Sequence, residues 1–320
     1  MKAQTISDRN SMRSKLISYG LFLSLTFTIG GSRSGYCAQP HGHEFAAPEE
    51  AVKALKGALA AKDLQALRGI FGPELSDIVN PDPVQATNEF NTVATAIEES
   101  TLLVPAGKQR MLLQYGHDAN LFPVPLVENT GKWYFDTEAG VEELINRRIG
   151  RNELSVLEVI RTYVQAQREY ASRDLDGDEV LEYAQRFGST PRTKDGLFWS
   201  PDLDGTLSPL GPLAAEAEAA GYRKREDVPR QSFHGYFFKI LTRQGKNAPG
   251  GAYDYIINGN MIGGFGLIAW PAEYDETGVM TFIVNQQGRV YQKDLGNKTG
   301  EIAEDMKVYD PDKTWSLSPD

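Results

Sequence analysis

The sequence predicts an α+β fold, with N-terminal helices and a curled antiparallel sheet followed by a long helix packed on a C-terminal antiparallel meander. Apolar residues recur at helical spacing from Pro48 to Glu99 and again from Val141 to Tyr170. The densest block of β-favouring residues runs from Gly250 to Leu295. Turns as short as Asn258-Gly259 join its strands, and a parallel return needs a much longer crossover. The strands of this block are therefore predicted to be antiparallel.

Composition limits the classes of function. A chain of 320 residues is long enough for about two domains. The formal net charge is −10, and the first 38 residues carry five basic side chains against one acidic one, so the remaining chain has a net charge of −14. A body this acidic repels phosphate backbones, which argues against nucleic-acid binding. No nucleic-acid partner is expected.

The N-terminus has the pattern of a secretion signal. Arg13 and Lys15 precede an apolar run from Leu16 to Ile29, and small residues follow it. This run is too short for a membrane span, which needs about 20 residues. We predict a signal peptide over residues 1–38, cleavage near residues 37–39, a linker over residues 39–45, and a periplasmic or secreted mature chain without a transmembrane span.

Cys37 is the only cysteine in the chain. The body of the protein therefore has no thiol for disulfides, zinc–thiolate sites or nucleophilic catalysis. The residues before Cys37 lack the pattern of a lipobox, and ordinary cleavage is favoured over lipidation, although both interpretations stay open here.

An α+β domain is predicted over residues 46–148. Pro48 and two glutamates in the first turn favour a helix start, a second helical segment ends at Gly72-Pro73, and a third runs from Ala86 to Glu99. The pattern then changes to β-strands, with Asn129-Thr130-Gly131 as a hairpin turn. The predicted strands cover Arg110–Tyr115, Pro123–Glu128 and Lys132–Asp136.

Helices followed by a curled sheet that ends in Trp-Tyr-Phe-Asp resemble the cystatin-like cone of the nuclear-transport-factor superfamily. This resemblance covers about residues 46–145, and it implies that a pocket lies between helix and sheet. A filled core without a ligand is the alternative, and both stay open.

A second α+β domain is predicted over residues 149–320, with a long loop insertion at 186–232. The helical pattern from Val141 to Tyr170 begins in the first predicted domain and continues into the second. Because it contains Gly150, it predicts either one bent helix or two helices. Arg147, Arg148 and Arg151 lie at this point and suit an anionic ligand, because arginine forks match carboxylates and phosphates. The favoured alternative is that these arginines are solvated charges or pair with neighbouring carboxylates. The candidate partners are Glu142, Glu143 and Glu153.

After this helix, carboxylates occur at alternate positions, as a hard cation such as calcium requires. The candidate calcium ligands are Asp174, Asp176, Asp178 and Glu182. The match to an EF-hand loop is partial, because Glu179 stands where glycine is required and Gln185 where a bidentate glutamate is required. An acidic turn without a metal is the favoured alternative. No other cofactor is expected.

The catalytic candidates are Glu273 and Asp275, in the loop from Pro271 to Gly278. Two carboxylates can supply a general acid and a general base for hydrolysis of an envelope polymer. His234 lies at the start of a strand and in no hydrolase motif, so a hydrogen bond to backbone is its expected role. Catalysis at the Pro271–Gly278 loop is the alternative to a protein without catalytic residues.

Long blocks of the sequence resemble a bacterial family of exported proteins, the domain-of-unknown-function family 2950. They are FHGYFFKILTRQG, APGGAYDYIINGNMIGGFGLIAWPAEYDETGVMTFIVNQQGRVYQKDLG, NRRIGRNEL and DGDEVLEYAQRFGSTPRTKDGLFW. The resemblance covers residues 45–315. It implies export and supplies no catalytic residues.

The C-terminal half also looks like a pseudopilin globular domain. A helix ending in Gln-Arg-Glu-Tyr precedes Gly235-Tyr236-Phe237-Phe238 and a terminal hairpin around Asn285 to Gly288. This pilin-like resemblance implies one helix laid across a four-stranded antiparallel meander. The prepilin start and its apolar stalk do not precede this helix, so filament assembly is not implied.

The sequence thus predicts an exported, non-enzymatic protein of the bacterial cell envelope that acts as a binding or accessory module. Its partner would be an unidentified envelope protein or polymer. A carboxylate-dependent hydrolase acting on a cell-envelope polymer is the alternative function.

Overall fold

The structure is a computed structural model that describes residues 41–175, 177–222 and 231–319. The predicted signal peptide, its cleavage region and Cys37 lie outside the described residues, as does Asp176 of the predicted calcium loop. The described residues belong to one compact unit. The described helices are α1 Pro48–Ala60, α2 Leu64–Phe71, α3 Leu75–Ile78, α4 Pro83–Glu99, α5 Thr137–Tyr170, α6 Gly211–Ala219 and α7 Thr299–Asp305.

The first sheet is antiparallel and follows α4, as predicted. Its strands run in the order β1-β2-β4-β5, with β3 also paired to β2. Phe45 adds a bridge to Trp133 beside β5. The strands are β1 Thr101–Pro105, β2 Arg110–Tyr115, β3 Asn120–Leu121, β4 Leu126–Asn129 and β5 Lys132–Phe135. Helices α1 and α2 cover this sheet and share one apolar core with it.

Helix α5 is a single helix of 34 residues. Gly150 does not interrupt it, because residues on both sides of the glycine are held by distant backbone. Arg148 donates to the carbonyls of Ile78 and Val79, and Asn152 donates to the carbonyl of Thr277 (2.8 Å). These bonds connect the middle of α5 to elements from both ends of the chain.

The second large sheet is the predicted C-terminal meander. Its strand order is β15-β13-β12-β11-β6, and each of these pairs is antiparallel. The second half of α5 packs on one face of this sheet, and α7 with the C-terminal residues packs on the other. The strands are β6 Tyr236–Leu241, β11 Gly266–Pro271, β12 Met280–Asn285, β13 Tyr291–Asp294 and β15 Ser316–Leu317.

The segment of the chain between β6 and β11 forms several short strands. The Asn258-Gly259 turn closes the predicted hairpin, with φ of +54° and +98°, which suit a tight β-turn. These strands are β7 Arg243–Gln244, β8 Tyr253–Asp254, β9 Ile256–Ile257, β10 Asn260–Met261 and, near the C-terminus, β14 Val308–Tyr309.

The α+β class predicted from the sequence is therefore confirmed. Strand β1 was not predicted. Within the described residues, no helix combines the length and the apolar character needed to span a bilayer.

Candidate binding cleft

A cleft of about 250 Å³ lies where the start of α4, the start of β6 and the loop after β11 meet. We call it the junction cleft, since its walls come from both the N-terminal and the C-terminal part of the fold. Its lining residues are Pro81, Asp82, Pro83, Val84, Tyr222, Gln231, Ser232, Phe237, Ala272, Glu273 and Thr277.

Asp82 is the fixed acidic group of the cleft. It is 5% exposed and is the N-cap of α4, with its Oδ1 accepting the backbone N–H groups of Val84 (2.9 Å) and Gln85 (3.3 Å). Pro83 follows at the first helical position, where a missing N–H costs nothing. The helix start therefore positions this carboxylate through local sequence alone.

Tyr222 lines the cleft beside Asp82. Its hydroxyl donates to Asp82 Oδ2 at 2.7 Å, and its ring packs edge-on against Phe233 (5.0 Å). Burial, together with the hydrogen bond to the Asp82 carboxylate, raises the pKa of Tyr222. Tyr222 is therefore a neutral donor at neutral pH. Beside it, the buried amide nitrogen of Gln85 has no acceptor among the described residues.

The predicted catalytic loop forms the opposite part of the cleft. Glu273 lines the cleft, whereas Asp275 does not. Asp275 occupies the turn at φ +65° and its N–H donates to the Gly278 carbonyl. Thr277 closes the loop, because its Oγ1 accepts the N–H of Glu273 (3.0 Å) and donates to the Glu273 carbonyl. Within the described residues the Glu273 carboxylate makes no hydrogen bond or ion pair, so it is available to a ligand.

Behind the cleft, the arginines of α5 are used for packing rather than as an anion clamp. Arg147 pairs with Glu143 (2.7 Å) and Arg151 with Glu89 (2.5 Å). Arg148 is 3% exposed and donates to two backbone carbonyls, and its burial lowers its pKa. Pairing with a neighbouring carboxylate, the favoured alternative, is thus found for Arg147, and the partner of Arg151 comes from α4.

Glu153 fastens α5 to the start of β12. Its Oε1 accepts the N–H groups of Val279 (3.0 Å) and Met280 (2.9 Å). Tyr236, which donates to the Met280 carbonyl (2.9 Å), lies beside the same carboxylate. Burial raises the pKa of Glu153, and the two backbone N–H groups oppose that shift. Glu153, a candidate partner of the α5 arginines, therefore accepts hydrogen bonds from the backbone instead.

His234 lies beside the cleft with its ring against Phe233 (4.1 Å) and Tyr222 (6.3 Å). Its φ is +50°, in the left-handed region. Burial lowers the pKa of His234, so this side chain is neutral at neutral pH. Its role here is aromatic packing around Tyr222.

The described carboxylates of the predicted calcium loop accept hydrogen bonds from the protein. Asp174 accepts the N–H groups of Gly177 and Glu179, and Asp178 accepts that of Val180 and the side-chain amide of Asn260. Glu182 is 9% exposed and accepts the N–H of Met261. Among the described residues no three His, Cys, Asp or Glu side chains converge as a metal site would require. The calcium site stays a prediction, which calorimetry with calcium chloride checks: heat of binding supports it, and its absence rejects it.

A larger open groove of about 900 Å³ lies between α1 and α2. The segment predicted as a linker contributes to it from His41 onward: His41 stacks on Tyr134 (4.1 Å), and His43 donates its N–H to the Gly69 carbonyl. Small residues form much of this groove. We place the candidate site at the junction cleft, because its lining contains the buried Asp82 carboxylate hydrogen-bonded to Tyr222, whose pKa is raised.

Two of the cleft's central residues had no prediction attached to them. Asp82-Pro83 carries the local signature of a helix start, which would have placed Asp82 on a cap. Nothing local connects Asp82 to Tyr222, which lies 140 residues further along the chain. Only the tertiary fold brings the two together.

Comparison with known proteins gives one family. A family described as "Protein of unknown function (DUF2950)" matches residues 42–317, which is most of the chain and includes every residue of the junction cleft. No curated protein and no solved structure matches. The pilin-like and cystatin-like resemblances therefore stay predictions.

Proposed function

The chain belongs to the DUF2950 family of proteins of unknown function, and on that premise we propose that it is an exported, non-enzymatic binding module of the cell envelope. The observation that carries the proposal is the junction cleft, whose lining includes the buried, hydrogen-bonded Asp82 and the exposed Glu273, whose carboxylate makes no hydrogen bond or ion pair within the described residues. Export is inferred from the N-terminal Arg13–Ile29 pattern.

The state of Asp82 favours recognition over catalysis. A general base has to accept and release a proton at the reacting atom. The Asp82 carboxylate instead accepts two backbone N–H groups and the Tyr222 hydroxyl, which hold it in one orientation. A rigid acceptor of this kind suits a ligand that donates hydrogen bonds.

Capture from an envelope extract tests the binding role. The full chain is immobilised beside Ala272→Trp, which adds an indole to the cleft wall, and Glu273→Gln, which removes a charge without changing shape. We expect the full chain to retain an envelope component that both variants lose, with all three melting at similar temperatures. Equal capture by the wild type and by both variants would show that the cleft is not the binding site.

The alternative is a hydrolase in which Glu273 acts on an envelope polymer, and the available carboxylate of Glu273 is the observation in its favour. Asp275 does not line the cleft, so its role as the second carboxylate has no support from the geometry. Incubation with peptidoglycan and analysis of soluble products decides the matter. If the protein is a binding module, we expect no soluble products. Release of products by the wild type, abolished in Glu273→Gln, would establish the hydrolase.

A further inference from the structure

We propose that the junction cleft binds one neutral sugar ring of an envelope glycan, an inference that rests on the binding function proposed above. Its volume of about 250 Å³ lies just below the usual range for pockets that hold drug-sized ligands. A compact ring fits such a space, whereas a helix or a folded peptide segment does not.

The acceptor groups of the cleft match the hydroxyl groups of a sugar. An ionised carboxylate offers about four acceptor sites, and Asp82 uses three of them within the protein. Glu273 uses none among the described residues, so both its oxygens are open to ligand hydroxyls. One remaining acceptor site on Asp82 and the two oxygens of Glu273 suit a ligand with several donors on neighbouring atoms, which is the arrangement of ring hydroxyls.

The remaining polar groups complete the match. Ser232 and Gln231 line the cleft, and a hydroxyl and an amide both donate and accept. Such groups can pair with hydroxyl oxygens or with the acetamido group of an amino sugar. The cleft can therefore satisfy both the donors and the acceptors of a sugar, without which a bound polar ring would lose hydrogen bonds to water.

The apolar part of the lining suits the C–H faces of a sugar ring. Phe237 lines the cleft and adds a half-buried ring, 5.9 Å from the ring of Trp270, to this apolar surface. Pro81, Pro83 and Ala272 are rigid or small and add to this surface without losing side-chain entropy on binding. An aromatic surface beside charged acceptors thus accommodates a ring that is apolar on its faces and polar at its edge.

The acidic groups of the lining disfavour anionic ligands. Two carboxylates in a chain of net charge −10 repel phosphate, carboxylate and sulfate groups. Cationic amines are the competing class, since the same carboxylates attract them. The test therefore has to compare neutral sugars with an amine ligand directly.

Isothermal titration calorimetry on the full chain makes this comparison. The probes are the neutral oligosaccharides chitotetraose, cellotetraose and maltotetraose, with tetralysine as the cationic comparator. We expect at least one neutral oligosaccharide to bind at a single site, and Glu273→Gln to weaken it about tenfold, as loss of a charged hydrogen bond would. Glu301→Gln removes the same charge from the exposed surface of α7 and is expected to leave the affinity unchanged.

Three results would overturn the proposal: no heat with any of the three neutral oligosaccharides, tighter binding of tetralysine than of every sugar, or equal weakening by Glu273→Gln and Glu301→Gln. Melting temperatures of both variants verify that they are folded. If the sugars fail while Ala272→Trp still abolishes capture of an envelope component, the sugar assignment falls and the binding function stands. If that variant captures as well as the wild type, the cleft is not the binding site, and the binding function proposed for it falls together with the sugar assignment.

Discussion

Glu153 holds a helix and a strand together, although its environment resembles that of a catalytic residue. It is a carboxylate with a raised pKa beside a tyrosine, a combination often found in active sites. Yet its Oε1 accepts two consecutive backbone N–H groups at the start of β12, and it does not line the junction cleft. Its geometry therefore indicates an anchor between helix and sheet.

The raised pKa of Glu153 has a consequence for stability. Its folded-state pKa lies above the ordinary value of 4.5, so its stabilising contribution is present below that pH and is lost as the pH rises through the folded-state value. Glu153→Gln keeps an acceptor for the two N–H groups and cannot ionise. We expect its melting temperature relative to wild type to be higher at pH 7.5 than at pH 4, in thermal denaturation scans.

Glu158→Gln is a suitable control for this comparison, because Glu158 is exposed on the same helix and carries the same charge. A difference between wild type and Glu153→Gln that is constant over pH, or that runs in the opposite direction, would contradict the assigned role of Glu153.

At the residue scale, sequence alone singled out Glu273, which lines the cleft, and Asp275, which does not. It offered no basis for linking Asp82 to Tyr222. The N-cap of a helix is a local property that sequence reveals, whereas a hydrogen bond between residues 140 positions apart depends on how the whole chain packs.

Helix α5 is the element that determines the arrangement of the others. Its first half packs near α3 and the first core, and its second half covers the meander. The sequence predicted this helix but left a bend at Gly150 open, since glycine weakens a helix locally. Hydrogen bonds from Arg148 and Asn152 fix both sides of that point, so tertiary contacts override the local preference.

Two glycines of α5 give a matched pair of substitutions. A Cβ at Gly140 would lie 2.7 Å from Val124 Cγ2 and 3.0 Å from Val124 Cα, whereas one at Gly150 would meet nothing within 4 Å. We expect Gly140→Ala to destabilise the fold by about 1–3 kcal/mol through overpacking. Gly150→Ala should instead stabilise it by about 0.5–1 kcal/mol, because alanine favours helix.

Urea denaturation measures both changes in the free energy of unfolding. Destabilisation by Gly150→Ala would show that α5 bends or breaks at this point, contrary to the single helix described here. A neutral Gly140→Ala would show that α5 and the segment around Val124 do not pack as closely as the structure has them.

Strand prediction succeeded where the turns are unambiguous and failed where they are not. Asn129-Thr130-Gly131 and Asn258-Gly259 both close hairpins, with positive φ at Thr130, Gly131, Asn258 and Gly259. Strand β1 follows α4 after a single residue, and apolar and polar residues do not alternate in its short sequence. Its pairing with β2 is what makes it a strand.

At the scale of the whole molecule, composition and the N-terminal pattern predict export, which the fold does not address. We expect the mature protein from a bacterial host to begin near residues 38–40 and to be recovered from the periplasm or medium. Intact-mass analysis of the secreted protein measures this start. A chain that keeps residues 1–36 in the cytoplasm would contradict the signal peptide, and an added diacylglycerol mass at Cys37 would identify a lipoprotein.

The central claim of this account is that the junction cleft binds an envelope component without chemical change to it. Amide hydrogen exchange of the full chain, with and without that component, tests it most directly. We predict protection confined to residues 81–85, 231–237 and 271–277, with the component recovered intact. Protection of the α1–α2 groove in place of these segments, or cleavage of the component, would contradict the claim.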